Sequence, residues 1–296
     1  MVVLDGYLKI SRRENILAQS LYFERNEHLN KICQNTVFRN DNNTLLDNRD
    51  LLDHILVDTK HHLLYCYVPK VACTNWKRIF MMLTGITDCT DPLLIPAHIA
   101  HDRNVISRLS NYTTREIEYF LRTYTKFLFV RHPFERLLSA YRNKLERNHI
   151  RSKYFQNRFG RYIIKRHRIK PTNISLENGD DVTFEEFSAY LTTSIISMYN
   201  EHWKPINSLC EPCLINYDFI GKYETLSSDS NFLLRNIGVN NIKFPFTFKS
   251  SNTSRDLKNY FSTLSTSRVK QLYDIYEQDF KLFSYNLHDL LGYEVG

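Results

Sequence analysis

Residues 62–85, HLLYCYVPKVACTNWKRIFMMLTG, constrain the fold more tightly than any other stretch of the chain. Leu63 to Val68 is a run of large and β-branched apolar residues, the composition of a strand buried on both faces. Pro69 removes a backbone donor and ends that strand. Thr74 or Asn75 is placed to cap a helix. Trp76, Ile79, Phe80 and Leu83 then recur at helical spacing, and Gly85 offers a stop. A strand, a tight loop and a helix in that order aim free N–H groups and a helix N-terminus at a phosphate or sulfate group. Lys70 lies on the loop, where its ammonium meets such an anion. A loop lysine is often only a solvated charge, and the glycine-rich GxxxxGK[ST] phosphate loop is absent. A partner unit downstream decides between the two readings.

Residues 126–144, KFLFVRHPFERLLSAYRNK, repeat the architecture. Phe127 to Val130 read as another buried strand, and Pro133 suits the first turn of a helix. Phe134, Leu137, Leu138 and Tyr141 form its apolar stripe. Arg131 falls at the strand end, and Ser139 on the polar side of the helix with Glu135 and Arg142. An arginine fork and a hydroxyl aimed at one crevice suit a phosphate monoester, since the guanidinium offers two parallel hydrogen bonds. Two such units, with anion-binding residues at the carboxyl ends of their strands, point to a ligand with two phosphates held where open α/β sheets hold ligands.

PKVACTNWKR followed by FVRHPFERLLSAYRNK resembles the membrane-anchored Golgi carbohydrate sulfotransferases of the chondroitin 4-sulfotransferase, dermatan 4-sulfotransferase and HNK-1 sulfotransferase group. The likeness continues through GDDVTFEEFSAYL (179–191), EHWKPINSLCEPC (201–213) and YDFIGKYETLSSDSNFLL (217–234). His132 departs from the pattern, because the family more often has an acidic residue there. The resemblance implies a single P-loop-like α/β domain over 60–296, a central parallel sheet flanked by helices, preceded by a helical and loop segment over 1–59. It also implies 3′-phosphoadenosine 5′-phosphosulfate as co-substrate, no metal, and O-4 of N-acetylgalactosamine in chondroitin or dermatan as the acceptor. Sulfation of an HNK-1-type glucuronic acid, or of another glycan hydroxyl, is the alternative. PKVACTNWKR resembles the family's 5′-phosphosulfate loop, which assigns Pro69, Lys70, Val71, Ala72, Cys73, Thr74, Asn75 and Trp76 to the donor. FVRHPFERLLSAYRNK resembles its 3′-phosphate site, which assigns Arg131 and Ser139. The acceptor hydroxyl needs a general base near neutral pH. His101 and His202 lie in segments resembling family motifs and are the candidates, with Glu201 behind them. Trp76 is within reach of an adenine, although its helical spacing suits core packing better.

The formal charge of +7 acquires meaning once it is located. Residues 142–170 hold eleven Arg and Lys against the single acid Glu146, so this segment carries about +10 and the rest of the chain about −3. Charge so concentrated argues for a polyanionic partner over a merely solvated face. Arg142, Lys165, Arg166 and Arg168 are the candidate acceptor contacts. No nucleic-acid-binding module is visible. A phosphate-loop kinase would account for paired anion sites, yet no magnesium-binding carboxylate accompanies them. A glycan-binding protein without activity would account for the basic segment but leaves Lys70, Arg131 and Ser139 unexplained.

Six cysteines permit disulfides without fixing their pairing. CEPC at 210–213 lacks the second pair that a zinc site needs. The resemblance favours structural disulfides in an oxidising lumen, in a type II Golgi membrane protein. No stretch approaches the ~20 apolar residues of a membrane span, and MVVLDGYLKISRREN lacks the apolar core of a signal peptide. The anchor is therefore expected to be missing from this sequence. Elsewhere, 11–34 reads as a charged helix with Ile16, Leu17, Leu21 and Tyr22 on one side, and 35–50 as a loop. A linker follows at 86–112, then a helix from Thr114 to about Thr123. Thr183 and Glu186 have capping-box spacing. Ile215 to Ile220 reads as a strand, and Val269, Leu272, Tyr273, Tyr276 and Phe280 as one face of a last helix.

Overall fold

The computed structural model describes residues 2–35, 42–146, 152–245 and 253–287. Its strands are β1 (Ile55–Asp58), β2 (Leu63–Cys66), β3 (Thr125–Val130) and β4 (Phe219–Lys222). The helices used below are α1 (Val2–Asn35), α2 (Cys73–Leu83), α3 (Thr114–Thr123), α4 (Pro133–Tyr141), α5 (Arg161–His167), α6 (Phe184–Thr193), α7 (Leu226–Asn236) and α8 (Thr266–Leu282). The chain forms two compact units. The first comprises Met1–Val130 and Cys210–Phe246, the second Arg131–Leu209 and Thr247–Gly296.

The first unit is built on one open sheet in the order β1-β2-β3-β4. β2, β3 and β4 run parallel, and β1 is antiparallel to β2. Sequence reading anticipates β2 and β3 because strands covered on both faces are continuous apolar runs. It misses β1, four residues long, and places the last strand too early. The segment 212–215 is a short helix, Asn216 turns left-handed at φ 54°, and β4 starts only at Phe219. On one face of the sheet Tyr65 stacks across the β2–β3 pairing on Phe127, ring centroids 4.8 Å apart. Trp76 from α2 settles 5.0 Å from Phe127 and 5.1 Å from Phe129. Phe80 is also fully buried there, a gain of about 2–3 kcal/mol for a side chain of that size. Gly221, opposite Phe129 in the register, leaves the space that this ring fills, since a Cβ would lie 2.1 Å from it.

Helix α1 departs from its expected apolar face. Tyr22 and Leu29 are buried, while Ile16, Leu17 and Leu21 are exposed. The helix is held instead by polar and covalent links. The Tyr22 hydroxyl (3.1 Å) and the Arg25 guanidinium (2.6 Å) donate to Asp229 of α7, and Cys33 is bonded to Cys213. A second disulfide joins Cys66, the last residue of β2, to Cys210. Both halves of CEPC are thus structural. Part of the expected loop at 35–50 is helical, at 42–47 and from 49, and its residues 36–41 lie outside the described residues. No helix among the described residues is long and apolar enough to cross a membrane.

The second unit is helical around an aromatic core. Phe134 of α4 stacks on Phe261 at 4.6 Å and meets Phe280 of α8 edge-on at 5.3 Å. Trp203 meets Phe187 of α6 edge-on at 5.5 Å. The expected faces of α4 and α8 are the buried ones, apart from Tyr273, which is only partly covered. The expected capping box of Thr183 with Glu186 forms ahead of α6, and Thr113 makes another with Glu116 ahead of α3 in the first unit. Between α4 and α6 the basic segment runs as a short helix at Lys153–Phe155, a π-turn at Gln156–Gly160 and then α5. Gly160 abuts Gly179, which closes a helix in the left-handed conformation at φ 64°. A Cβ on Gly160 would lie 2.0 Å from the Gly179 carbonyl oxygen. Gly160→Ala should therefore destabilise the fold by about 2–3 kcal/mol, the upper part of the range for an overpacked interior. Urea unfolding tests this, and a loss below about 0.5 kcal/mol would remove the contact from the account.

Candidate active site

In the first unit, β2 delivers the loop 67–72 to the N-terminus of α2. The helix starts at Cys73 with Ala72 as its cap, not at Thr74 or Asn75 as sequence reading expects. Ala72 adopts φ 55° and Lys70 φ 71°, left-handed conformations that cost roughly 1–2 kcal/mol at a residue with a Cβ. The sharp turn they create begins the helix early. The Ala72 carbonyl takes the N–H groups of Asn75 (3.0 Å) and Trp76 (3.2 Å). The Cys73 and Thr74 N–H groups are left without an acceptor among the described residues. Two such donors at the positive end of a helix have the chemistry of an anion seat, and Lys70 lies three residues ahead of the helix in the same loop.

Trp76 is 0% exposed and packed on the sheet, the core role that its helical spacing favours. Pro69, Val71 and Cys73 are buried as well and offer a ligand only their main chain. Asn75 uses its amide oxygen to take Arg78 (3.1 Å). Thr74 instead reaches back across the linker, its Oγ1 sharing a 2.9 Å hydrogen bond with Nε2 of His101. At the carboxyl end of β4 stands Lys222, to which sequence reading gives no role. Burial, and then Arg25 nearby, pull its ammonium pKa below the usual lysine value.

In the second unit Arg131 is 1% exposed. Its Nε and Nη2 donate to Oε2 of Glu135 at 3.3 and 3.1 Å. The polar side of α4 is itself covered, since Glu135 and Ser139 are buried, as is Arg136. Ser139 lies one turn beyond Glu135, and its hydroxyl makes no hydrogen bond among the described residues. His132 meets the Asn286 carbonyl through Nε2 (3.0 Å); a carbonyl only accepts, so Nε2 carries the proton.

The segment bearing His202 is clamped from two helices. Arg136 donates to the carbonyls of Lys204 (2.7 Å) and Glu201 (2.8 Å). Tyr276 donates to that of Trp203 (2.5 Å). Asp279 accepts from the N–H groups of Ile206 (2.6 Å) and Asn207 (2.7 Å). Burial pushes the Asp279 carboxyl up to about 6, against the pull of those two N–H bonds and of Arg136. Nothing local in the sequence marks these three residues, because each acts on a segment about 65 or more positions away. His202 itself bonds through Nδ1 to Oδ1 of Asn200 at 2.7 Å and meets the edge of Phe155 at 5.1 Å.

Two of the candidate acceptor contacts are already occupied. Arg142 is paired with Asp256 (2.5 Å) and Glu146 (3.6 Å). Arg168 donates to Glu186 at 2.6 Å, to Asp181 at 2.6 Å and to Ser175. Hydrogen bonding to Glu186, with Asp181 adding to it against the cost of burial, holds the Arg168 guanidinium pKa above its usual value. Arg168 is a brace between α5 and α6. Lys165 and Arg166, by contrast, face solvent. Arg147 and Arg151 lie outside the described residues.

A parallel sheet whose strand end feeds a lysine-bearing loop into a helix N-terminus is an arrangement that suits an anionic ligand. The chain belongs to the sulfotransferase family, whose sequence model matches residues 53–286. Carbohydrate sulfotransferase 11 of Rattus norvegicus is 48% identical over 81% of this chain and 69% of its own length. Carbohydrate sulfotransferase 14 of Danio rerio is 42% identical over 82% and 65%, and carbohydrate sulfotransferase 9 of Homo sapiens 39% over 79% and 53%. No solved structure matches the chain. Membership makes it a sulfotransferase that draws sulfate from 3′-phosphoadenosine 5′-phosphosulfate.

Proposed function

We propose that the chain transfers sulfate to a sugar hydroxyl, O-4 of N-acetylgalactosamine in chondroitin or dermatan. The observation that carries this reading is the anion seat of Lys70 and the Cys73 and Thr74 N–H groups, in a chain 48% identical to a carbohydrate sulfotransferase. The acceptor oxygen attacks sulfur, and the bond from sulfur to the 5′-phosphate oxygen breaks. Its electron pair leaves with adenosine 3′,5′-bisphosphate. As in phosphoryl transfer, positioning and charge stabilisation do most of the work. Lys70 and the two N–H groups neutralise the charge growing on the departing oxygen. His101, bonded to Thr74, orients that hydroxyl in the loop. His202 takes the acceptor proton: with Nδ1–H given to Asn200, the basic lone pair is on Nε2. Two disulfides in the first unit support an oxidising compartment such as the Golgi lumen.

Arg131 and Ser139 hold the 3′-phosphate in this reading, with Glu135 fixing the guanidinium's direction. Because removing Arg131 outright would strand the buried Glu135, Arg131→Lys is the sharper probe. It keeps the charge and loses the fork. Its affinity for adenosine 3′,5′-bisphosphate should fall by about 2 kcal/mol, and that of Ser139→Ala by about 1 kcal/mol. Affinity for adenosine 5′-phosphate should hardly change, and calorimetric titration that finds both nucleotides equally weakened would reject the assignment. Transfer of labelled sulfate onto a panel of desulfated chondroitin, dermatan and glucuronate-terminated glycans tests the acceptor. Product without 4-sulfated N-acetylgalactosamine would exclude the chondroitin reading.

A further inference from the structure

We infer that the solvent face of the helical run 153–167 is a docking strip for an extended polyanionic glycan, read through two tyrosines as well as through its cations. This deepens the acceptor half of the reading above and rests on it. Tyr154 (56%) and Tyr162 (54%) are largely exposed. Arg158, Arg161, Lys165 and Arg166 share the exposed side of the same run, while Phe155, Ile163 and Ile164 form its buried side. No acidic residue occurs between Lys153 and Lys170. The face therefore has a net charge that it does not neutralise from within, whereas Arg142 and Arg168 are spent on carboxylates of the fold.

The order of side chains along the run has chemical content. Tyr154, Arg158, Tyr162 and Arg166 recur every four residues, with Arg161 and Lys165 beside them, so rings and cations alternate along the exposed surface of the run. An anionic glycan alternates in the same way. The C–H faces of its sugars are apolar and pack on an aromatic ring, and its carboxylates or sulfates stand at the sugar edges. Such chemistry explains why two tyrosines are left in water on a cationic face. The rings are held in place. Arg158 donates to the Tyr154 hydroxyl at 2.5 Å, and Tyr162 meets Tyr190 of α6 edge-on at 6.0 Å. From Tyr154 to Arg166 the strip is about 18 Å long at the helical rise, enough for several sugar rings in line. On the inner side of the same run Phe155 touches His202, so the element that would bind the polymer also packs against the proposed base.

The test separates binding from transfer. Wild type is compared with Tyr154→Ala/Tyr162→Ala and with Arg158→Gln/Lys165→Gln/Arg166→Gln, each first shown to unfold at the wild-type temperature. Fluorescein-labelled desulfated chondroitin is titrated as polymer and as tetrasaccharide, from low to physiological salt. Wild type should bind the polymer more tightly than the tetrasaccharide. Each variant should lose roughly tenfold on the polymer, and the triple variant should flatten the log–log salt dependence by ~2, as counterion release predicts for three lost contacts. Affinity for adenosine 3′,5′-bisphosphate should stay as it was. Wild-type length dependence and salt slope in both variants would overturn the strip. A wild type that retains labelled tRNA and not chondroitin would overturn it in favour of nucleic acid. Sulfate transfer is read separately: a chain that binds chondroitin through the strip yet sulfates none of the glycans refutes the acceptor reading and leaves the strip standing.

Discussion

Lys70→Ala should lower kcat by about 10²–10³-fold, which is ~3–4 kcal/mol of transition-state stabilisation and the scale measured when one preorganised charge-stabilising donor is removed. The ammonium meets the bridging oxygen most strongly when the bond to sulfur is breaking, so the loss should fall on kcat and less on the donor KM. The backbone offers a way to separate charge from conformation. Lys70 adopts φ 71°, which glycine accepts without cost and alanine does not. Lys70→Gly therefore keeps the loop and drops the charge, while Lys70→Arg keeps the charge. Equal losses for alanine and glycine, with partial activity for arginine, would assign the effect to the ammonium. Alanine and glycine variants within a few-fold of wild-type kcat would end that role.

Breaking the Cys66–Cys210 bridge should cost about 4 kcal/mol, because it closes a loop across a sequence separation of 144 residues. Both cysteines are fully buried. The bridge ties the end of β2, from which the anion loop departs, to the residue at which the chain re-enters the first unit. Cys66→Ser/Cys210→Ser should show a large loss in the urea midpoint and a mobile donor loop. Cys89→Ser should be nearly silent, since that thiol is unpaired and partly exposed. A double variant within about 1 kcal/mol of wild type would show that packing alone holds the strand end.

The two strand–loop–helix segments are legible in the sequence because their signals are local. A continuous apolar run, a proline and a helical stripe lie within two dozen residues of one another. The cap Thr183 is legible for the same reason. The start of α2 is not, because a left-handed Ala72 replaces the polar cap that propensity favours. Arg168 reads as one more cation in a basic run, and only the folding of 175–186 onto it turns it into a brace. Glu135 is visible without its role, since an i, i+4 pair with Arg131 resembles any surface pair until burial makes it obligatory. The hold of Arg136, Tyr276 and Asp279 on the His202 segment is long-range in every member, and hydrophobic periodicity carries no trace of it.

The two disulfides also dictate an order of events during synthesis. Cys33 and Cys66 leave the ribosome well over a hundred residues ahead of Cys213 and Cys210, their respective partners. During that interval the thiols within reach are those of Cys33 and Cys66 themselves and of Cys73 and Cys89, which end unpaired. The late pair then arrives together, three positions apart, and offers a crossed connectivity as readily as the native one. Correct pairing therefore depends on thiolate exchange after most of the chain has been made. A nascent sulfotransferase of this design needs an isomerase-rich compartment before it needs its substrates.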